Sequence, residues 1–272
     1  MEAIFEAIVE AQRKEQPVAL VTVVRARGSV PRHEGSKMLV YPDGAILGSV
    51  GGGEMEARAI AEALAALKEG RPRLVDYTLV NPKEGDPGVC GGEVAMFIDP
   101  LVPPPTLLVV GAGHVGRAVA FLGKWLGFRI VIYDDRPDYA MPEAIPQADV
   151  HLTGPLDQAL QGVQFTPHMY IVAVTRSYPL DVALLRLVLD APVAYIGIIG
   201  SKRRVQEVFK ALRDEGVPEE KLARVHGPIG LELNAETPEE IAVSILGEII
   251  MLRRGGSGKP IKGKPIKMKM MD

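Results

Sequence analysis

Cysteine is almost absent: Cys90 is the single thiol among 272 residues. One thiol excludes an internal disulfide framework and a cysteine-rich zinc site. Aromatic residues make up 5% of the chain, with one Trp, and no basic patch is interleaved with them, so the pattern of a nucleic-acid binder is missing. No run of about 18 uncharged apolar residues occurs, and no membrane span is expected. The opening stretch, MEAIFEAIVEAQRKEQ, carries acids from its second residue where a secretory leader would carry cations. With Ile4, Ile8 and Ala11 on one face it predicts an amphipathic helix, and the expected location is the cytoplasm.

What the chain does have is a globular composition, 47% hydrophobic and 24% charged, at a length that suits two compact domains. The net charge of −3 hides an asymmetry. Residues 253–272 carry seven Lys/Arg and one Asp, a net of about +6, so the remaining body is near −9.

Hydrophobic periodicity divides the chain. Residues 2–15 read as a helix, 18–26 as a buried strand rich in β-branched residues, and 37–41 and 45–50 as strands joined by Pro42-Asp43-Gly44. A helix over about 54–69 ends at Gly70, and strands near 73–79 and 93–98 bracket a turn-rich loop. Four prolines in Asp99–Thr106 mark a stiff linker. Beyond it, strands near 107–110, 129–133, 149–152, 169–174 and 193–198 alternate with helices near 114–126, 179–190, 201–215 and 237–253. Repeated βα alternation with near-continuous apolar strands argues a doubly wound parallel sheet. The last helix has a capping box, with Thr237 at the N-cap, Pro238 at N1 and Glu240 closing it. The expected class is therefore α/β, with an N-terminal domain over 1–99, a linker over 100–106, a Rossmann-type domain over 107–254 and a disordered basic tail over 255–272.

Candidate binding residues cluster in glycine-rich turns. Gly111-Ala-Gly113-His114-Val-Gly116 follows a strand and opens a helix, the context a dinucleotide fingerprint requires. Gly111 permits the tight turn, Gly113 lets backbone approach a pyrophosphate, and Gly116 allows close helix–sheet packing. His114 stands where a side chain can face phosphates or serve packing alone. Asp134, at the end of the second strand, is placed to bind a ribose 2′-hydroxyl; Arg136 could instead accept a 2′-phosphate, which leaves NAD and NADP open. A second anion candidate is Gly200-Ser201-Lys202-Arg203-Arg204, where three cations oppose a helix macrodipole that a bound anion would reconcile. A third is the loop His226–Gly230. In the first domain, Gly51-Gly52-Gly53 is costly in chain entropy unless backbone lies against something, and its N–H groups could form an oxyanion nest with Arg32 beside it. Cys90 sits between glycines in a loop. It reads either as a soft metal ligand or sulfur-handling thiol, or as an inert small hydrophobe.

Taken in order, GSVPRHEGSKMLVYPDGAILGSVGGG, GVCGG, LLVVGAGHVGRAVA, YDDRPDYA, YIGIIGSKRR and HGPIGLELNAETPEEIAVSILGEII resemble the XdhC/CoxI family. The likeness runs from about residue 15 to 254. It implies an N-terminal XdhC/CoxI domain, a C-terminal Rossmann domain, and an accessory role to a xanthine dehydrogenase-type molybdenum hydroxylase. Such proteins bind the molybdenum cofactor as cargo, support its sulfuration with a cysteine desulfurase, and deliver it to the apoenzyme. On this resemblance Cys90 becomes the expected molybdenum ligand. One position departs from the pattern: family members commonly carry Cys directly after the triple glycine, and Glu54 stands there in this chain. A carboxylate is a hard ligand and no sulfur carrier. A homo-oligomer is also expected. The competing functions are an NAD(P)-dependent oxidoreductase, for which no His–Asp pair or Tyr-x-x-x-Lys stands beside a strand end, and a nucleotide-sensing module.

Overall fold

The computed structural model describes residues 2–14, 16–79 and 91–261. The chain divides into two compact units, Met1–Pro103 and Pro104–Asp272. In the first, α1 (Glu2–Arg13) precedes β1 (Val18–Arg27), β2 (Lys37–Val40) and β3 (Ile46–Gly48), then α2 (Gly53–Glu69), β4 (Arg73–Thr78) and β5 (Glu93–Leu101). Among the described residues these strands form an antiparallel sheet in the order β3-β2-β1-β5-β4. Alternation along β1 divides its side chains between two helices. Val21 and Val23 join the core under α2, while Val18 and Leu20 pack with Ile4 and Ala11 of α1. The buried stripe of α2 is Met55, Ala59, Ala63, Ala66 and Leu67. Those spacings are helical, and the small alanines let the helix lie close on the sheet.

Strand β5 continues through Pro100 and Leu101, two residues assigned above to the linker. The pairing explains the difference. β4 lies beside β5 only as far as Ile98, so Pro100 sits where β1 is its described neighbour and a missing N–H is tolerated.

The second unit contains β6 (Thr106–Val110), α3 (His114–Trp125), β7 (Arg129–Asp134), β8 (Val150–Thr153), α4 (Leu156–Ala159), β9 (Met169–Ala173), α5 (Tyr178–Val188), β10 (Tyr195–Ile198), α6 (Lys202–Asp214), α7 (Glu219–Leu222), β11 (Val225–His226) and α8 (Pro238–Arg254). Every strand pair is parallel, in the order β11-β10-β9-β6-β7-β8. Counted within this unit, that is the Rossmann order, with the switch point between β6 and β9. Both faces are covered. Leu107, Val109, Ile130, Ile132 and Val172 face the layer that includes α8, and Leu108, Val110, Val131, Ile171 and Ala173 face the layer of α5 and α6. That is why these strands read as continuous apolar runs.

The expected α/β class and parallel sheet are present. Strand β11 was not foreseen, because two residues carry no period, and the one-turn helices α4 and α7 escaped for the same reason. Helix α8 has the expected capping box at Thr237 and ends on Gly255 in the left-handed region. Most of the tail, 262–272, lies outside the described residues, and Gly255–Ile261 are exposed. Among the described residues no helix is long and apolar enough to cross a membrane.

Ile249 of α8 is fully buried in the core beneath the sheet. Replacing it with Ala should lower stability by about 2–5 kcal/mol, read as a lower denaturant midpoint with an unchanged slope.

Candidate functional site

The turn after β6 is built by backbone contact. Gly111 has φ +110°, and a Cβ there would lie 2.6 Å from the Val174 carbonyl oxygen after β9. A Cβ on Gly116 would lie 1.8 Å from the carbonyl oxygen of Gly111. Both glycines are demanded by the chain's own packing. Gly113 differs: its φ is −71°, open to any residue, and a Cβ there would meet nothing within 4 Å. It is also the N-cap of α3, with no side-chain cap bond. The helix therefore starts without a side-chain cap on its first N–H groups, the arrangement that suits an anion.

His114, in the first turn of α3, is exposed. It lines a groove of about 520 Å³ between α3 and α8 with Phe121, Pro238 and Val243.

Asp134 is 3% exposed, and its carboxylate is fully engaged. Oδ2 accepts the Ala112 N–H at 2.8 Å and Nη2 of Arg136 at 3.0 Å; Oδ1 accepts the Arg136 backbone N–H at 3.1 Å and Nε at 2.8 Å. Burial alone would raise the pKa of Asp134, but the Arg136 guanidinium and these N–H donors hold it below the usual carboxylate value. Asp134, expected to read a ribose hydroxyl, here pins the glycine turn and holds Arg136. The Arg136 guanidinium lies over the Tyr139 ring, 3.5 Å from its centroid.

The basic turn is also reassigned in part. Ser201 Oγ accepts the Arg204 N–H at 3.2 Å and caps α6. Arg204 donates through Nε and Nη2 to the fully buried Asp181 and through Nη2 to the Thr175 carbonyl. Its cation is answered inside the protein by Asp181. Lys202 and Arg203 are exposed, with no ion pair among the described residues. Asp181 is pushed up by burial, offset in part by Thr175 and Arg204.

In the loop beyond β11, His226 Nδ1 lies 3.2 Å from Glu248, whose other oxygen accepts the Gly230 N–H at 2.8 Å and the Tyr195 hydroxyl at 2.5 Å. The His226 and Tyr195 rings stack at 4.6 Å. Glu248 thus ties the loop to α8. Nothing in the spacing of Tyr195, His226 and Glu248 announced this cluster, which exists only once β10, β11 and α8 are adjacent.

In the first unit the three glycine segments converge. A Cβ on Gly28 would lie 3.1 Å from the Gly91 carbonyl oxygen, one on Gly92 would lie 2.3 Å from that of Ser29, and one on Gly51 would lie 2.7 Å from Pro31. Arg32 follows Pro31 and is exposed. Cys90 lies outside the described residues; its neighbours Gly91 and Gly92 stand against Gly28-Ser29. Glu56 occupies part of the triple-glycine turn. Its Oε2 accepts the Ser49 hydroxyl at 2.6 Å, the Val50 N–H at 3.0 Å and the Gly52 N–H at 3.2 Å. Gly52 and Gly53 have φ of +76° and +63° with open space at Cβ. Glu54 pairs with Arg58 one turn on, in an exposed contact.

The sheet order, the β6 turn and the helix that starts at Gly113 define a Rossmann-class protein with a second α/β unit ahead of it. The model of the XdhC Rossmann domain matches residues 107–249, and that of the XdhC and CoxI family matches 11–78. The chain belongs to the XdhC/CoxI family. It is 35% identical over 257 residues to the uncharacterized protein YqeB of Escherichia coli K12, covering 94% of this chain and 47% of YqeB. It is 33% identical over 159 residues to a probable xanthine dehydrogenase subunit of Bacillus subtilis 168, covering 58% of this chain and 46% of that protein. The chain spans about half the length of these two relatives. The molybdenum cofactor insertion chaperone PaoD of Escherichia coli K12 is 25% identical over 280 aligned positions, covering 92% of this chain and 88% of PaoD. A crystal structure described as a xanthine dehydrogenase from Bacillus halodurans shares the fold, with a TM-score of 0.51 at 22% identity over 96% of this chain and 97% of that one.

Glu56 generates a pH prediction. Burial works to raise its pKa, but the bonds from Ser49 and the loop N–H groups hold it below 4.5. A depressed carboxylate contributes stability that is present above its unfolded pKa and lost as pH falls through its folded one. Glu56→Gln should therefore lower stability by about 1–2 kcal/mol at neutral pH. The gap to the unmodified protein should close as the pH drops below the carboxylate range, measured by denaturant titration at several pH values.

Proposed function

We propose that this protein is an accessory factor that binds the molybdenum cofactor and passes it to a xanthine dehydrogenase-type molybdenum hydroxylase. The observation that carries the reading is the convergence, within one unit, of Gly28–Arg32, Gly51–Gly53 and Gly91-Gly92, in a chain akin to a cofactor insertion chaperone and to a probable component of a xanthine dehydrogenase. The cofactor presents a terminal phosphate and a dithiolene-bound metal. The phosphate wants a planar cation and N–H donors, which Arg32 and the start of α2 can supply; the metal end wants a soft ligand, the role we assign to Cys90. Glu56 occupies part of the nest, so the donors left for cargo are those of the first turn of α2 rather than Val50 and Gly52. Sulfuration of the cargo by a cysteine desulfurase belongs to the same proposal. With Glu54 in the position after the triple glycine, the sulfur-handling thiol would be Cys90 alone. The second unit takes a dinucleotide, NAD or NADP, at Gly111–Gly116.

The test is isolation of the protein without oxygen from a host that makes the cofactor. Pterin and molybdenum should co-purify, and the loaded protein should activate a molybdenum hydroxylase apoenzyme. Arg32→Ala and Cys90→Ser should keep the fold and weaken cargo retention by about tenfold each, the scale of one charge-assisted bond. Gly113→Val should abolish dinucleotide binding without loss of stability. A protein isolated free of pterin and molybdenum would overturn the cargo reading.

A further inference from the structure

We propose that the turn after β7 reads a phosphomonoester on a nucleotide ribose, so that the second unit takes the 2′-phosphorylated dinucleotide, NADP, in preference to NAD. The proposal rests on the reading of Gly111–Gly116 as a dinucleotide site and adds the ligand class to it.

A Rossmann unit that prefers a free ribose uses the carboxylate ending its second strand to accept the ribose hydroxyls. Asp134 has no acceptor left for that task. The Ala112 N–H and three donors of Arg136 fill both oxygens, and a carboxylate offers about four lone-pair sites. A diol could bind there only by displacing Arg136. The next acid, Asp135, is ion-paired with Arg176 at 3.1 Å.

Charge points the same way. Two guanidiniums flank one aromatic ring beside the glycine turn: Arg136 at 3.5 Å from the Tyr139 centroid and Arg117 at 5.7 Å. Asp134 balances the first. The second has no carboxylate among the described residues; its bond there is Nε to the Ala112 carbonyl at 3.3 Å. Arg136 also keeps Nη1 without a partner among the described residues, on a side chain 33% exposed. The group that answers one uncompensated cation and a free guanidinium edge is a phosphate dianion, which guanidinium donors match in geometry and charge. Tyr139 holds the Arg136 plane in place, so little ordering remains on binding.

Calorimetric titration of the full chain with NADP and with NAD tests this. NADP should bind at least about tenfold more tightly, as expected for added charge-assisted bonds, and the preference should shrink as salt rises. Arg136→Ala should move the two affinities in opposite directions. NADP weakens for want of its partner, and NAD tightens because the Asp134 oxygens are freed for the diol. A purely structural role for Arg136 would weaken both together. If Arg136→Ala melts without a folded state, Arg117→Ala carries the test: NADP should weaken and NAD should not. Equal affinities in the unmodified protein, or a preference for NAD, overturn the proposal and leave the dinucleotide reading standing. Binding of neither overturns both.

Discussion

The second unit depends on a backbone contact that leaves no room for a side-chain carbon. Helix α3 begins against the carbonyl of Gly111, so that a Cβ on Gly116 would collide with it at 1.8 Å. The approach continues along the helix, where a Cβ on Gly123 would lie 2.7 Å from Leu107 and 3.1 Å from Ile130. The face α3 lays on the sheet is Gly116, Val119, Ala120 and Gly123. Small residues let α3 lie close on β6 and β7, and its first turn stands at the carboxyl end of β6, where Gly116 also approaches Val174 beyond β9, at the switch point of the open α/β sheet. Everything the unit can offer an anion follows from that placement.

In each unit, carboxylates act as internal anions for loop N–H groups. Glu56 takes Val50 and Gly52, Asp134 takes Ala112 and Arg136, Asp149 takes Ile130, Glu248 takes Gly230, and Glu240 takes Glu236 and Thr237. Each satisfies donors that a glycine-rich or irregular turn would otherwise leave exposed to desolvation. The consequence for function is subtractive. The donors held by Glu56 and Asp134 are engaged within the chain: in the first unit Arg32 stays exposed, and in the second Gly113 faces open space and the Arg136 Nη1 has no partner among the described residues. Asp181 does the same for Arg204, converting an expected ligand cation into a rivet between α5 and α6.

How much could be read in advance follows from the range of each signal. The strands at 130–133 and 169–174 are apolar at every step because both faces are buried, and the capping box at Thr237–Glu240 lies within four residues. The fingerprint at Gly111–Gly116 is equally local. Glu56 was within reach as well, since an acid in the first turn after a glycine run is where helix N–H groups need an acceptor. Beyond reach were the pairings of Asp181 with Arg204 across 23 residues, of Glu248 with Tyr195 across 53, and of Gly28 with Gly91. No period or spacing connects such residues before the strands are ordered.

Sequence alone determined the α/β class, the parallel sheet of the second half, the glycine turn and the family to which the chain belongs, because each is written in short-range patterns of apolar, glycine and capping residues. The tertiary structure decided which of the polar residues remain free. Asp134, Arg204 and the Gly52 N–H looked available because their chemistry suits a ligand; in the fold each has a partner within the chain. A carboxylate at 2.8 Å inside the chain engages a donor before any ligand arrives.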